Sequence, residues 1–414
     1  MPRVITRSRA AFIFIFITVL LDMISFGIII PVFPQLILKL QGGDMAGAAA
    51  VFGIFGTAFA VMQFFFSPVQ GALSDRFGRR PVILLSNLGL GLDYIVMALA
   101  PNIPLLFIGR LVSGATSASF SISGAYVADV TPPQERAARF GMLGAAFGAG
   151  FIIGPAIGGL LGAVDLRAPF WAAAVLSITN FLYGVFILPE SLPPDRRRPF
   201  QLHAANPIGA VRFLGSRPVL MALTVAMLFA FLAHDAIPNT WVLYTTYRFN
   251  FDERAVGVSL AIVGAASLVV NGFLVGRVVK WLGEYNALLT GLGFGIISEL
   301  LFALAPTTWL LLGTLPIYAL AGLSGGPFQS IATREVQPNE QGQLQGALTA
   351  LRSMVTLVTP GLYTGTFALF VGPLAGLGLP GAPYLLAAIL MAATAVLVMR
   401  SATTLRSPAA ARSS

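Results

Sequence analysis

Asp22, Asp93, Asp235 and Glu299 each stand inside a long apolar stretch, as do Arg110 and His234. Placing such a group in hydrocarbon costs roughly 2.5–3.5 kcal/mol, so it needs a partner, a wet cavity or a function. Two chemistries are open to Asp22, midway along its stretch: carrying a proton coupled to substrate, or a fixed ion pair with Arg110. They are compatible, because losing a neighbouring cation changes how a carboxylate holds a proton. Asp93, deep in its own stretch, is open to the same coupling role or to a buried hydrogen-bonded one. Glu299 lies 206 residues further on and is either a matching acid, a packed polar site or part of the outer mouth. His234 and Asp235 are adjacent, so on a helix they point about 100° apart. Asp235 suits a substrate or proton role, and His234 a hydrogen-bonded one.

Other chemistries are excluded. The chain has no Cys and only two His, which removes disulfides and thiolate nucleophiles and leaves little for a metal. No nucleophile or cofactor constellation is present, so neither an enzyme, a cofactor nor a metal site is expected. GxGxxG-like spacings inside Gly-rich helices carry little weight.

The elements that must hold these groups follow from composition. Of 414 residues, 57% are hydrophobic and 10% charged, against about 25% charged in a soluble domain. So few charges cannot cover a water-facing surface, so apolar surface must face lipid. Apolar stretches near 10–38, 46–70, 81–100, 104–128, 139–163 and 168–188 are followed by a second set near 218–244, 255–280, 286–305, 308–330, 344–371 and 382–400. Each reaches the ~20 residues that cross hydrocarbon. The first continues through Asp22 to Pro31 with no cleavage site and reads as a spanning helix, not a signal peptide. The expected organisation is a bundle over 1–188, a polar cytoplasmic linker over 189–217, and a second bundle with a short tail over 218–414.

With the N-terminus inside, the Lys and Arg residues sort by loop. Only Lys39, Arg167, Arg248 and Arg254 fall outside, and Arg110 within a helix; the rest of the 25 fall at or near inner ends. This is the positive-inside pattern, with both termini cytoplasmic. It accounts for the net charge of +9 without nucleic acid, which would call for one basic face.

One offset runs through the chain. Gly71, Gly78, Pro133, Glu135, Gly141 and Pro155 recur as Gly276, Gly283, Pro338, Glu340, Gly346 and Pro360, every pair 205 residues apart. Asp129 has Arg334 at the same offset, with opposite sign. The two halves are therefore expected to repeat in parallel orientation, with attraction between Asp129 and Arg334 when the protein faces outward. Asp75 with Arg352, and Asp129 or Glu135 with Arg136, are further candidate ion pairs.

Two motifs go beyond packing. The loop after the second stretch reads Gly71-Ala-Leu-Ser-Asp75-Arg76-Phe-Gly78-Arg79-Arg80, where Gly71 and Gly78 suit a tight turn. The fifth stretch carries Gly150, Gly154-Pro155 and Gly158-Gly159, a flat face of small residues. The first resembles the G-x-L-x-D-R-x-G-R-R/K loop of the major facilitator superfamily. The second resembles the antiporter motif of its proton-coupled drug exporters, and Ile108-Gly109-Arg110 their Arg-bearing fourth helix. Leu21-Asp22, Ile30-Pro31-Val32-Phe33-Pro34, Met62-Gln63, Leu92-Asp93-Tyr94, Gly124 to Asp129 and Leu188-Pro189-Glu190-Ser191 are similar to tetracycline/proton antiporters. The likeness covers nearly the whole chain and is strongest in the first half.

The resemblance implies an all-α polytopic fold of 12 transmembrane helices, in two six-helix halves around a central cavity. It implies a functional monomer in the inner membrane whose partners are protons, lipid and a small amphipathic drug of tetracycline type, exported by alternating access. Asp22, Gln63, Asp93, Arg110 and Arg76 match positions that matter in the family. With Glu299 they give a proton-coupling set of Asp22, Asp93, Arg110 and Glu299. Gln63, His234, Asp235, Asn239 and Asn271 form a substrate-cavity set. Gly71, Asp75, Arg76, Gly78, Arg79, Arg80, Asp129, Gly150, Gly154, Pro155, Gly158 and Gly159 form the gate and motif set. Tyr94, Tyr126 and Trp241 are expected to line an apolar cavity. The pattern departs in the second half, where Gly295 stands for the family's ninth-helix Asp and Ser267 for a His found in some members. That leaves open a sugar or siderophore transporter, or a transport-dead sensor.

Overall fold

The computed structural model describes residues 2–117, 119–197, 218–337 and 340–400. Residues 198–217 of the expected linker, Pro338 of the repeat and most of the tail lie outside the described residues. Among the described residues all regular structure is helical.

Eleven helical stretches are long and apolar enough to span a membrane, beginning with Ala11–Leu40 and ending with Ala382–Arg400. One of them, Glu253–Leu304, has 52 residues. At 1.5 Å per residue it would run about 78 Å, more than twice the roughly 30 Å hydrocarbon core. Gly283 breaks it, at φ 74 and ψ 162, with helical backbone on either side. Length and break together make it two crossings.

The other interruptions follow from proline and from the repeat. Pro31 and Pro34 lack an N–H to continue Pro2–Ile29, and a new helix starts at Phe33–Leu40. Pro238 does the same to the carbonyl of His234, so Pro218–His234 stops and Ala236–Phe249 begins after Asp235. The fourth stretch divides into Ile103–Thr116 and Ser119–Val130. A later one divides into Thr308–Ala319 and Gly325–Arg334, joined by one 3-10 segment. The chain thus carries its breaks in the helices that also carry Arg110, His234 and Asp235.

The chain forms two compact units. The first comprises Met1–Asp44, Ile54–Ala205 and Phe251–Gly264; the second comprises Met45–Gly53, Asn206–Asn250 and Ala265–Ser414. The first unit has a core of Phe12, Ile15, Val19, Ile83, Tyr126 and Leu143. Its antiporter-like glycines are a packing face. A Cβ at Gly154 would come within 2.6 Å of Gly27 Cα, and one at Gly158 would strike the Ile28 carbonyl. A Cβ at Gly159 would lie 2.9 Å from Gly257 Cα. The second unit has a core of Leu223, Leu288, Leu292, Phe328, Leu344 and Val398. Outward faces stay apolar: Phe186, Trp281 and Trp309 are each more than four-fifths exposed. Trp309 stands at a helix start and Trp281 beside the Gly283 break, where amphipathic rings suit a membrane–water interface.

Tyr94, Tyr126 and Trp241 do not line a cavity. All three are among the most fully buried side chains, and the Tyr126 hydroxyl is tied to the Pro189 carbonyl at 2.9 Å. Their ring area is spent on packing within each unit.

Candidate functional site

In the first unit Asp22 is buried and held by amides. Asn180 Nδ2 donates to Asp22 Oδ1 at 2.8 Å and to the Thr18 carbonyl at 2.9 Å. With the Asn87 amide oriented to donate, its nitrogen reaches both Asp22 oxygens at 3.2 Å. The carboxyl therefore takes its donors from Ser119, Asn180 and Asn87, and the ion pair expected with Arg110 does not form among the described side chains. Arg110 lies instead against the rings of Phe59 and Phe33, at 4.6 and 5.0 Å from their centroids, a cation–π seat.

Asp93 is the acid that Arg110 acts on electrostatically. Ser113 Oγ donates to Asp93 Oδ2, while Asp93 Oδ1 and Arg110 Nε have no hydrogen-bond partner. Gly109 makes room, since a Cβ there would sit 2.6 Å from Asp93 Oδ1. Both groups are thus buried, electrostatically coupled and incompletely satisfied among the described residues. Gln63 is half-buried on Met45–Phe77, and Gly114 lets that helix approach, its would-be Cβ lying 2.5 Å from the Phe59 carbonyl.

In the second unit the Pro238 break organises the polar groups. Asp235 Oδ1 pairs with Arg352 Nη2 at 2.6 Å, and Asp235 Oδ2 accepts from Thr359 Oγ1 at 2.8 Å. At the break the Asp235 N–H bonds the Leu232 carbonyl at 3.2 Å; Arg352 reaches the Phe231 carbonyl at 3.3 Å and the Tyr363 hydroxyl also donates to the Leu232 carbonyl at 2.8 Å. Asn239 caps the Asp235 carbonyl at 2.8 Å. His234 is exposed, and its Nδ1 lies 3.3 Å from the Tyr318 hydroxyl. Asn271 is exposed in a π-helical turn and bonds the Ser267 carbonyl at 2.9 Å. Glu299 is wholly buried, and neither carboxyl oxygen has a hydrogen-bond partner. Where the family acid is absent, Gly295 is pressed by the Met391 side chain, with Met391 Cε 3.0 Å from a would-be Cβ.

The motif loop turns at Gly78 (φ 108, ψ 159); Gly71 stands inside the preceding helix with open space around it and takes no part in the turn. Arg79 pairs with Asp75 at 2.5 Å and with Asp129 at 3.2 Å. Glu190 caps the next helix, accepting from the Arg79 and Arg80 backbone N–H groups at 2.8 and 3.3 Å. That anion offsets two cations at a helix N-terminus, where they are otherwise unfavourable. The Arg80 side chain caps the C-terminus of Ala168–Ile187 at the Val185 carbonyl, 2.5 Å away. Arg76 is exposed, over the Phe77 ring. Glu135 pairs with Arg139, not Arg136, which bonds the Ala128 and Thr131 carbonyls. Arg334 pairs with Glu284 at 2.7 Å within its own unit.

Sequence reasoning passed over Asn87, Asn180, Thr359, Tyr318 and Glu284. Asn87 and Asn180 had a signal, being amides in apolar stretches. Glu284 had a stronger one, since it stands 205 residues after Arg79 with the opposite charge.

Two units of membrane-length helices with ionisable groups buried in their spans define a polytopic membrane transporter. The family model described as Major Facilitator Superfamily matches residues 15–360. The tetracycline resistance protein, class C, of Escherichia coli is 38% identical over 362 residues, covering 87% of this chain and 91% of that protein. The class G protein of Vibrio anguillarum is 35% identical, covering 88% and 92%. In fold, the chain is similar to the human organic anion transporter MFSD10 (TETRAN), with TM-score 0.68 and 24% identity over 94% of this chain and 99% of that one. A POT family transporter in complex with 5-aminolevulinic acid gives TM-score 0.75 at 13% identity, covering 96% of each chain. The chain belongs to the Major Facilitator Superfamily.

Proposed function

We propose that this protein is a proton-coupled exporter of amphipathic drugs of tetracycline type, acting in the cytoplasmic membrane of a bacterium. It works as a monomer by alternating access, with both termini in the cytoplasm, and performs transport without covalent chemistry. Its bundles span 1–188 and 218–414, joined by the linker 189–217. The observation that carries this reading is the likeness to tetracycline resistance proteins along nearly the whole chain, in a fold that buries the acids Asp22 and Asp93.

Asp93, Arg110, Asp22 and Glu299 couple protons, and Gln63, Asp235, Asn239 and Asn271 meet the substrate, while His234 is engaged by the Tyr318 hydroxyl. Asp93 supports its role by keeping one carboxyl oxygen without a hydrogen-bond donor among the described residues, while Arg110 acts on it electrostatically. Asp22, held by Asn180, sets the geometry of the first span around it. The loop from Gly71 to Arg80, with Asp129, gates the cytoplasmic side, and the glycine face from Gly150 to Gly159 keeps the fifth helix close-packed. A sugar or siderophore transporter is not favoured, because the curated relatives named above are drug-resistance proteins.

The test is efflux of tetracycline and a cationic dye from a sensitised bacterial host, with and without a proton uncoupler. Export that stops with the uncoupler is the expected result. Absence of export, or export indifferent to the uncoupler, overturns the reading.

A further inference from the structure

The second unit contains a buried acid for which the fold supplies no partner. Glu299 has no exposed surface and no hydrogen bond at either oxygen. Among the described residues, each other buried acid in the spans has a donor: Asp22 has Asn180, Asp93 has Ser113, and Asp235 has Arg352 and Thr359. Aromatic residues cluster one turn along its helix. Phe302, one turn along the same helix, packs on Trp241 at 5.2 Å and on Tyr318 at 5.8 Å. The titratable groups on which Glu299 acts electrostatically are the phenols of Tyr318, Tyr363 and Tyr384, on three different helices. Asp235 and Arg352, which also act on Tyr318, neutralise each other at 2.6 Å.

Tyr318 is also the residue that touches the exposed imidazole. Its hydroxyl lies 3.3 Å from His234 Nδ1, and the two rings stack with 13° between their planes. His234 is held there by the Pro238 break, which ends its helix at that residue. The exposed imidazole thus meets the Tyr318 hydroxyl, and that phenol is in turn the group on which the Glu299 carboxyl acts electrostatically. Chains of Asp, Glu and His within membrane spans are the usual substance of proton relays.

We propose that His234 and Tyr318 are the proton entry to Glu299, a route separate from the acids of the first unit. Water outside gives a proton to His234 Nε2. The Nδ1 proton passes to the Tyr318 oxygen as the Tyr318 hydroxyl proton passes to a Glu299 carboxylate oxygen, after a shift of that flexible side chain toward the phenol. Charge balances: one proton leaves water, one arrives at Glu299, and Tyr318 and His234 end neutral, the imidazole in its other tautomer. Tautomer exchange with water resets the ring. His234 is thereby a positioning and relay residue and not a substrate contact.

The inference rests on the proton-coupled reading, and the test separates the two. Purified full-length protein is reconstituted in liposomes, and two rates are measured with tetracycline. One is uptake driven by a pH gradient; the other is exchange of labelled against unlabelled drug with no gradient. Wild type is expected to show both, and loss of the driven rate in wild type would sink the proton-coupled reading itself. Glu299→Gln should abolish driven uptake and keep exchange. His234→Gln and Tyr318→Phe should slow driven uptake by about 10²-fold, the scale of a lost proton-transfer group, with exchange unchanged. Thermal unfolding of each variant guards against misfolding, and Glu299→Asp, which keeps the carboxyl, should retain part of the driven rate. Driven uptake unaffected by Glu299→Gln, or exchange lost along with it in His234→Gln, would overturn the relay.

Discussion

Arg79 Nε lies 3.2 Å from Asp129 Oδ2 in the first unit. The positions 205 residues later are Glu284 and Arg334, and they too are paired, at 2.7 Å, with the signs exchanged. Each pair follows a glycine of positive φ, Gly78 and Gly283. The repeat has thus kept the geometry of an ion pair while reversing its polarity, which is possible because Coulomb attraction is blind to which partner carries which sign.

This makes the second pair exchangeable. Glu284→Arg should lower the melting temperature in detergent, since it sets two cations together, and adding Arg334→Glu should recover most of the loss. Arg334 is 61% exposed, so the coupling from a double-mutant cycle should fall within about 1 kcal/mol. A double variant no more stable than the single one would contradict the exchange.

The two turn glycines should differ in cost. Both hold positive φ, but a Cβ at Gly78 also meets the Glu190 carboxylate, while nothing lies within 4 Å of one at Gly283. Backbone strain of this kind costs about 1–3 kcal/mol. Gly78→Ala should therefore destabilise more than Gly283→Ala, by thermal unfolding, and should also disturb the Glu190 cap.

Breaking the Asp235–Arg352 pair should be more damaging than removing it. Loss of one partner of a fully buried pair costs about 3–5 kcal/mol; Arg352 is 40% exposed, so the cost here should be smaller. Arg352→Ala should lower the melting temperature clearly, and Asp235→Asn with Arg352→Gln should lower it less. Equal losses would show that the charge left behind is not the cause.

Asn180→Ala strips donors from both Asp22 and the Thr18 carbonyl in a buried place. It should cost about 1–3 kcal/mol, readable as a drop in unfolding temperature. Asp22→Asn, which places an amide among amides, should also destabilise, and a neutral result would mean that the Asn180 and Asn87 contacts carry no weight.

The close approach at Gly158 leaves no room for any side chain. Gly158→Leu should block folding or abolish efflux, whereas Gly148→Leu, in open space on the same helix, should express normally. Matching expression and efflux in the two would remove the packing role of the motif.

Much of this protein could be read from its residues. Apolar runs of spanning length, few charges and a 205-residue repeat determine a helical membrane protein of two related halves, because hydrocarbon tolerates little else. The motif loop and the buried positions of Asp22, Asp93, Asp235 and Glu299 were legible for the same reason: charge in an apolar run is conspicuous. Partnership was not legible. Asp22 was matched with Arg110 on sign alone, yet amides from two other helices reach it first; Asp75 and Arg352 each found a partner within their own unit. Side-chain reach, helix rotation and the Pro238 break decide such pairings, and they exist only once helices distant in sequence are packed. Tertiary structure alone singled out Glu299 as the acid without a donor, because a missing hydrogen bond is a property of everything around a residue and of nothing in its letter.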